Sequence, residues 1–172
     1  MPLKISIKKK GKQLDLMKAN LKRLDGQSTE FGYFASQGKH TGADGIADYT
    51  YAGLAQALEL GYFPKEGRHR KPMPFMEHVA QRTIYGINRR NSKVNRAYRA
   101  WGRNITSRAG MGSPARLLNA VGEFAQEQSE VIFGNPAYFP QAPKNKTPLV
   151  TTGELKKNFA YKTSWDNKVR TR

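Results

Sequence analysis

The chain contains no cysteine. That absence removes a disulfide scaffold and all thiolate chemistry at once, whether metal coordination by sulfur, redox exchange or a cysteine nucleophile. Long apolar runs are missing as well. No stretch approaches the roughly 18 residues of a membrane span, and the opening residues carry no apolar signal core. The expectation is therefore a protein made and kept in a cytoplasm, with no membrane partner, unless a larger particle carries it out. Acidic residues are scarce: 13 stand against 30 lysines and arginines, a formal net charge of +17. A surplus of that size favours polyanionic company, which can be nucleic acid, an acidic protein surface or anionic lipid.

Recognisable reaction chemistry is also lacking. His40, His69 and His78 are the three histidines, and none forms a helical ligand pair with another metal-binding residue. Serines occur without a Gly-x-Ser-x-Gly elbow. The glycines around Gly38, Gly42 and Gly45 have no Gly-Lys-Ser/Thr ending and no dinucleotide spacing, so a surface loop is the better reading than a phosphate cradle. No catalytic residue, metal or cofactor is expected, and the protein is read as a non-enzyme.

What is present suits one α+β domain over residues 1–172. The organising stretch runs from Ser113 to Lys162. Ser113-Pro114 opens a helix, with a hydroxyl at the N-cap and proline at the first helical position, and Gly134 closes it. At about 100° per residue, Leu117, Leu118, Val121, Phe124, Ala125, Gln128, Val131 and Ile132 gather on one face, while Arg116, Glu123, Glu127 and Glu130 lie opposite. Leu117, Val121, Phe124 and Val131 are the predicted core from this helix. A proline-rich connection follows, then a capped turn near Thr151 and Thr152, and residues 158–162 alternate like a strand.

Upstream, residues 3–7 alternate as a first strand, and Leu14, Met17, Leu21 and Leu24 mark an amphipathic helix over 13–24 whose stripe is expected in the core. Residues 30–35 form an aromatic strand. Tyr51 to Leu60 is a helix ended by Gly61. A long helix over 74–104 carries Phe75, Val79 and Ile87 toward the core, with poor helix propensity at 88–92 predicting a kink or break. The expected sheet joins residues near 3–7, 31–36 and 158–163, is small and antiparallel, and is packed by the two long helices. Loops at 37–48, 61–73 and 134–148 are expected at the periphery, with Tyr62, Phe63, Tyr138 and Phe139 as candidate partner contacts. Tyr62 and Phe63 read equally well as a docking tip or as side chains folded back onto the core. Residues 164–172 read either as an edge strand or as a mobile basic tail.

The helix containing Val121-Gly122, the proline-rich connection, and Pro148-Leu149-Val150-Thr151-Thr152-Gly153-Glu154-Leu155 before a strand resemble the C-terminal half of the tail-completion, or head–tail joining, proteins of tailed bacteriophages. That family typically carries Pro-Leu-x-Asp-Thr-Gly-x-Leu here, and this chain has Thr151 where the aspartate is usual. A second part of the resemblance is Ala57-Leu58-Glu59-Leu60-Gly61, followed by Pro72-Met73-Pro74-Phe75-Met76. Glu59, Gly61, Pro74, Phe75, Thr152, Gly153 and Leu155 are the positions that match. Leu58, Leu60 and Met73 depart from the commonest residues.

The resemblance implies a structural virion protein, assembled in the host cytoplasm, that forms a homo-oligomeric ring in the neck. Its implied partners are the head connector or head-closure protein and the tail terminator or tail tube protein, with DNA passing nearby. The alternative, supported by charge alone, is a basic nucleic-acid-binding protein. Arg82, Arg89, Lys93, Arg96, Arg99 and Arg103 fall on one side of the long helix, and the expectation is that they meet acidic groups of another protein chain rather than pair with Glu123, Glu127 and Glu130 at home.

Overall fold

The computed structural model describes residues 8–39, 49–65, 67–106, 113–139 and 153–171. The strand expected at 3–7, most of the loop at 37–48, residues 140–148 and the turn at Thr151 and Thr152 lie outside the described residues. The architecture is α+β. Helix α1 (Lys8–Leu24) leads into strand β1 (Thr29–Gly32), then α2 (Tyr51–Leu60) and the short strands β2 (Tyr62–Phe63) and β3 (Arg68–His69). Helices α3 (Phe75–Ile87), α4 (Lys93–Asn104) and α5 (Ala115–Ile132) follow, and a single-turn α6 (Glu154–Asn158) precedes β4 (Ala160–Thr163) and β5 (Val169–Thr171).

The main sheet has the order β1-β4-β5 and is antiparallel throughout. Its register sets Phe31 opposite Tyr161 and Lys162 opposite Val169. The C-terminal residues thus supply an edge strand, and the carboxylate of Asp166 fixes its turn by accepting from Thr163 Oγ1, the Lys168 amide and the Arg170 guanidinium. Those bonds hold the Asp166 carboxyl well below the usual carboxylate range, the Arg170 bond contributing most.

Helix α5 lies at the centre, packed on β1 and β4 and against α3 and α4. The long helix expected at 74–104 is broken. Ser92 has extended backbone and its side chain accepts from the Asn95 amide at 3.0 Å, so it caps a new helix rather than continuing the old one. The low propensity of Asn88 to Ser92 shows as a real interruption between α3 and α4.

Phe75 and Val79 are fully buried, as the pattern predicts. Helix α5 departs from its predicted face. Leu117, Val121 and Phe124 are half-buried and so is Ile87 of α3, Val131 is 44% exposed, and the buried positions are Leu118, Ala120, Gly122, Ala125, Gln126, Ser129 and Ile132. The reason is close approach. A helix covered on several sides buries its small residues where neighbouring elements come nearest, and a hydrophobicity wheel gives glycine, alanine and serine little weight. A methyl group on Gly86 would fall within the ring of Phe124, so α3 and α5 meet at that glycine.

Helix α1 also departs from expectation. Leu14, Met17 and Leu21 are 50%, 38% and 43% exposed, and among the described side chains of this helix the buried one is Asn20. Asn20 Nδ2 donates to the Ile105 carbonyl at 2.6 Å, attaching the helix beside the end of α4 through a polar contact.

Candidate interaction surfaces

Two motif fragments far apart in sequence, at Phe75 and Leu155, meet at Tyr33, and a third, Glu59 to Gly61, is tied to the first of them. Glu59, near the end of α2, accepts at both carboxylate oxygens from the first turn of α3, from the Met76 amide at 3.0 Å and the Glu77 amide at 3.2 Å. These are two of the donors that a helix start leaves without an internal partner, and an anion suits that end of the helix dipole. Gly61 ends α2 at a φ of +70°, where a side chain would strike the Arg70 carbonyl and Pro72. The Arg70 amide donates to the Gly61 carbonyl at 2.7 Å and the Met73 amide to the Leu58 carbonyl at 2.8 Å, so the chain returns along α2 and delivers Pro74 to the start of α3.

Phe75, the first residue of α3, packs its ring edge-on to Tyr33 at 6.2 Å. Tyr33 packs in turn against Phe159 at 5.8 Å and donates its hydroxyl to the Leu155 carbonyl at 2.7 Å. Burial pushes the Tyr33 phenol well above its ordinary range, which keeps it a donor. Gly153 takes a left-handed conformation at the start of α6, and Leu155 is buried. Glu59, Gly61, Pro74, Phe75, Gly153 and Leu155 therefore belong to the scaffold. Thr152 lies outside the described residues.

The aromatic pairs divide. Tyr62 is 43% exposed and stacks beside His69 at 4.7 Å, whereas Phe63 is fully buried against Tyr49 at 6.2 Å, within a two-strand hairpin where a loop was expected. Tyr138 is half-buried and Phe139 is 4% exposed. Phe63 and Phe139 are core residues rather than partner contacts in the folded subunit. Alternation across β2 explains Phe63, since adjacent strand residues face opposite sides.

The basic row, read from the sequence as one face, separates at the α3–α4 break into three environments. Arg82 turns toward α5: its Nε donates to Gln128 Oε1 at 3.1 Å, and its guanidinium donates to the Tyr138 hydroxyl while lying over that ring. Lys93 pairs within the subunit with Glu123 at 2.6 Å and Glu127 at 3.0 Å, which raises its pKa, the hydrogen bond to Glu123 leading. The expectation that this lysine meets another chain is corrected. The apolar face of α4 turns to α5 rather than to the sheet, and that brings Lys93 within reach of the two glutamates. Arg89 lies over the exposed Tyr85 ring at 4.9 Å, and Arg96, Arg99 and Arg103 face solvent on α4.

Two surfaces follow. An open groove of about 830 Å³ between α3 and α5 is lined by Arg82, Tyr85, Gly86, Arg89, Phe124 and Val131 among others, and Ile84 stands 64% exposed on α3. It combines apolar side chains with guanidinium groups, the mixture found in protein interfaces. The second is the α4 arginine face, which lines an open groove of about 680 Å³ with Gly102. Sequence periodicity identified the basic residues but not their division, because that depends on where α5 lies.

No protein-family model, no curated protein and no solved structure matches this chain. Among the described residues no cluster of three or more His, Asp or Glu is placed to hold a metal ion, and no helix is long and apolar enough to cross a membrane.

Proposed function

We propose that this protein is a non-enzymatic structural subunit of a tailed-phage virion, a neck component that forms a ring, completes the tail and joins it to the head connector. The observation that carries this reading is the linkage of the motif fragments from α2, α3 and α6: Tyr33 joins Phe75 of α3 to Leu155 of α6, and Glu59 of α2 caps the start of α3. Here the Glu59–Gly61, Pro74–Phe75 and Gly153–Leu155 fragments are parts of one packed assembly, as a shared fold requires.

Exposed apolar surface supports the oligomeric part of the proposal. A ring needs two unlike patches on each subunit that fit one another, since its interfaces are head-to-tail. The α1 stripe of Leu14, Met17 and Leu21 and the α3–α5 groove with Tyr85, Phe124 and Val131 are two such patches. The proposed ring contact sets the α1 stripe of one subunit on the groove of its neighbour. The connector on the head side and the terminator or tube on the tail side are the remaining partners.

The decisive experiment is deletion of the gene from its phage, followed by electron microscopy of lysates and antibody labelling of complete particles. The proposal predicts unjoined heads and tails in the deletion, and label at the head–tail junction of wild-type particles. Joined infectious particles without the protein, or label elsewhere, overturn it.

A further inference from the structure

Residues 89–103 contain Arg89, Arg90, Lys93, Arg96, Arg99 and Arg103 and no acidic residue. Within that run Lys93 is consumed by Glu123 and Glu127, and Arg89 rests on Tyr85. The other residues of interest sit on α4 itself. At about 100° per residue, Arg96, Arg99 and Arg103 fall within roughly 60° of one another, on the side of the helix opposite buried Val94 and Trp101. All three are exposed and have no acidic partner among the described residues. With a rise of 1.5 Å per residue they stand roughly 4.5 and 6 Å apart along the axis, a straight file of cations. A methyl group on Gly102, beside the file, would meet nothing within 4 Å, so the helix backbone there is open to close approach.

Two kinds of partner are disfavoured. A second copy of the chain brings the same formal charge of +17. Many of its acidic groups are also engaged at home, Glu30 with Lys162, Glu59 on the start of α3, Glu123 and Glu127 with Lys93, and Asp166 with Arg170. A foreign protein interface generally has a charge-depleted centre with apolar or aromatic anchors and keeps charges at the rim. The groove between α3 and α5 has that composition. The groove along the α4 file is lined by arginines and a glycine with no apolar anchor among them, and the exposed ring beside it, Tyr98, is paired with Trp101 of the same helix. A surface of regularly spaced guanidinium groups without an anchor matches what a phosphodiester backbone needs, because binding that is indifferent to sequence rests on phosphate neutralisation and counterion release.

We infer that Arg96, Arg99 and Arg103 form a nucleic-acid backbone contact, engaging successive phosphates of DNA without reading its sequence. The inference goes beyond the neck reading and does not depend on it, since it concerns the isolated subunit. It also separates the basic row by function: Arg82 and Arg89 belong to the protein-facing groove, and the α4 file belongs to DNA.

The test measures binding of a fluorescent random-sequence DNA duplex to the purified full chain by anisotropy, from 50 to 300 mM salt. Three proteins are compared: wild type, Arg96→Gln/Arg99→Gln/Arg103→Gln, and Lys18→Gln/Lys22→Gln/Lys71→Gln. The last loses the same charge at exposed lysines elsewhere. Each phosphate contact adds about 0.9 to the slope of log affinity against log salt, so the arginine variant should flatten that slope by about 2 to 3 and lose at least tenfold in affinity at 50 mM salt. The lysine variant should stay near wild type. Equal losses in both variants would mean diffuse charge rather than a site, and no loss in the arginine variant, or no DNA binding by wild type, overturns the inference. Polyglutamate and anionic phosphatidylglycerol vesicles serve as competitors. If either displaces DNA at matched charge concentration and binds in a manner that needs the three arginines more than DNA does, the file is a protein or lipid contact and the inference fails. All replaced side chains are solvent-facing, and unchanged thermal melting establishes that the variants are folded.

Discussion

Gly122 of α5 lies directly beneath the ring of Tyr161 on β4, so close that a β-carbon at Gly122 would overlap the ring. This contact seats the central helix on the sheet. Gly122→Ala brings two opposed effects. Alanine is the better helix former by about 1 kcal/mol, whereas forcing a methyl group into a filled interface costs about 1–3 kcal/mol. Tyr161 is buried in the middle strand and paired on both sides, so it has little room to withdraw. Overpacking should win, with a net loss of up to about 2 kcal/mol in urea denaturation. A gain in stability would mean that the helix stands further from the sheet.

Glu59 makes a second prediction, because its carboxylate is the outside partner of two amides in the first turn of α3. Glu59→Ala should cost about 1–2 kcal/mol, in line with losing a helix cap. Hydrogen exchange separates this from a general packing loss: the Met76 and Glu77 amides should lose protection ahead of the rest of α3. Uniform loss along the helix counts against the capping role.

Which parts of this structure were legible in the sequence follows from the kind of signal each left. Tyr51–Leu60 with its Gly61 stop, the break before Ser92, the strand ending near Thr163 and the α+β class all rest on local chemistry: a cap, a glycine in the left-handed region, a run of poor helix formers. Positions fixed by a distant neighbour were not legible. Leu14, Met17 and Leu21 have the spacing of a core stripe but the described residues leave them largely exposed, and Val131 shares a face with buried Ile132 yet borders the groove. The pairing of Lys93 with Glu123 and Glu127 likewise depends on α4 lying beside α5, which no spacing within either helix specifies.

The correction on α5 can be measured. Phe75 is fully buried and Phe124 half-buried, so Phe75→Ala should cost about 3–5 kcal/mol and Phe124→Ala clearly less. Val131→Ala should fall within about 0.5 kcal/mol of wild type, as for a surface change. A loss at Val131 comparable to that at Phe75 would restore the face expected from the wheel.

Acid should loosen the edge strand before the rest of the fold. The Asp166 carboxyl is held below its ordinary value by Arg170 first and the Lys168 amide second. A carboxyl with a depressed folded pKa contributes stability that is present above its unfolded value, about 4, and is lost as pH falls through the folded value. The amides of β5 should therefore lose hydrogen-exchange protection below about pH 4, sooner than those pairing β1 with β4. Asp166→Asn should show that weaker protection already at neutral pH. Equal acid sensitivity in both strand pairs, or no effect of Asp166→Asn, would assign the turn's order to something other than this carboxylate.

The α1 stripe tests the ring contact at its more accessible side. Leu14, Met17 and Leu21 are each more than a third exposed, so changing all three to glutamine should leave the melting temperature of the isolated subunit nearly unchanged, each step within about 0.5 kcal/mol. Burial of the same side chains at a neighbour's groove contributes roughly 25 cal/mol per Å² of apolar surface, enough for a few leucine-sized groups to decide association. The triple variant should therefore sediment as a folded monomer at concentrations where wild type forms a closed oligomer, and it should fail to restore head–tail joining in the deletion phage. Arg82→Glu, on the opposite side of the proposed contact, should produce the same assembly defect when present alone. Mixing the two variants should not produce closed rings, since any ring containing both has at least one contact with a defective side. If the stripe variant assembles normally, the exposed leucines of α1 serve some other surface and the ring contact must be sought elsewhere on the subunit.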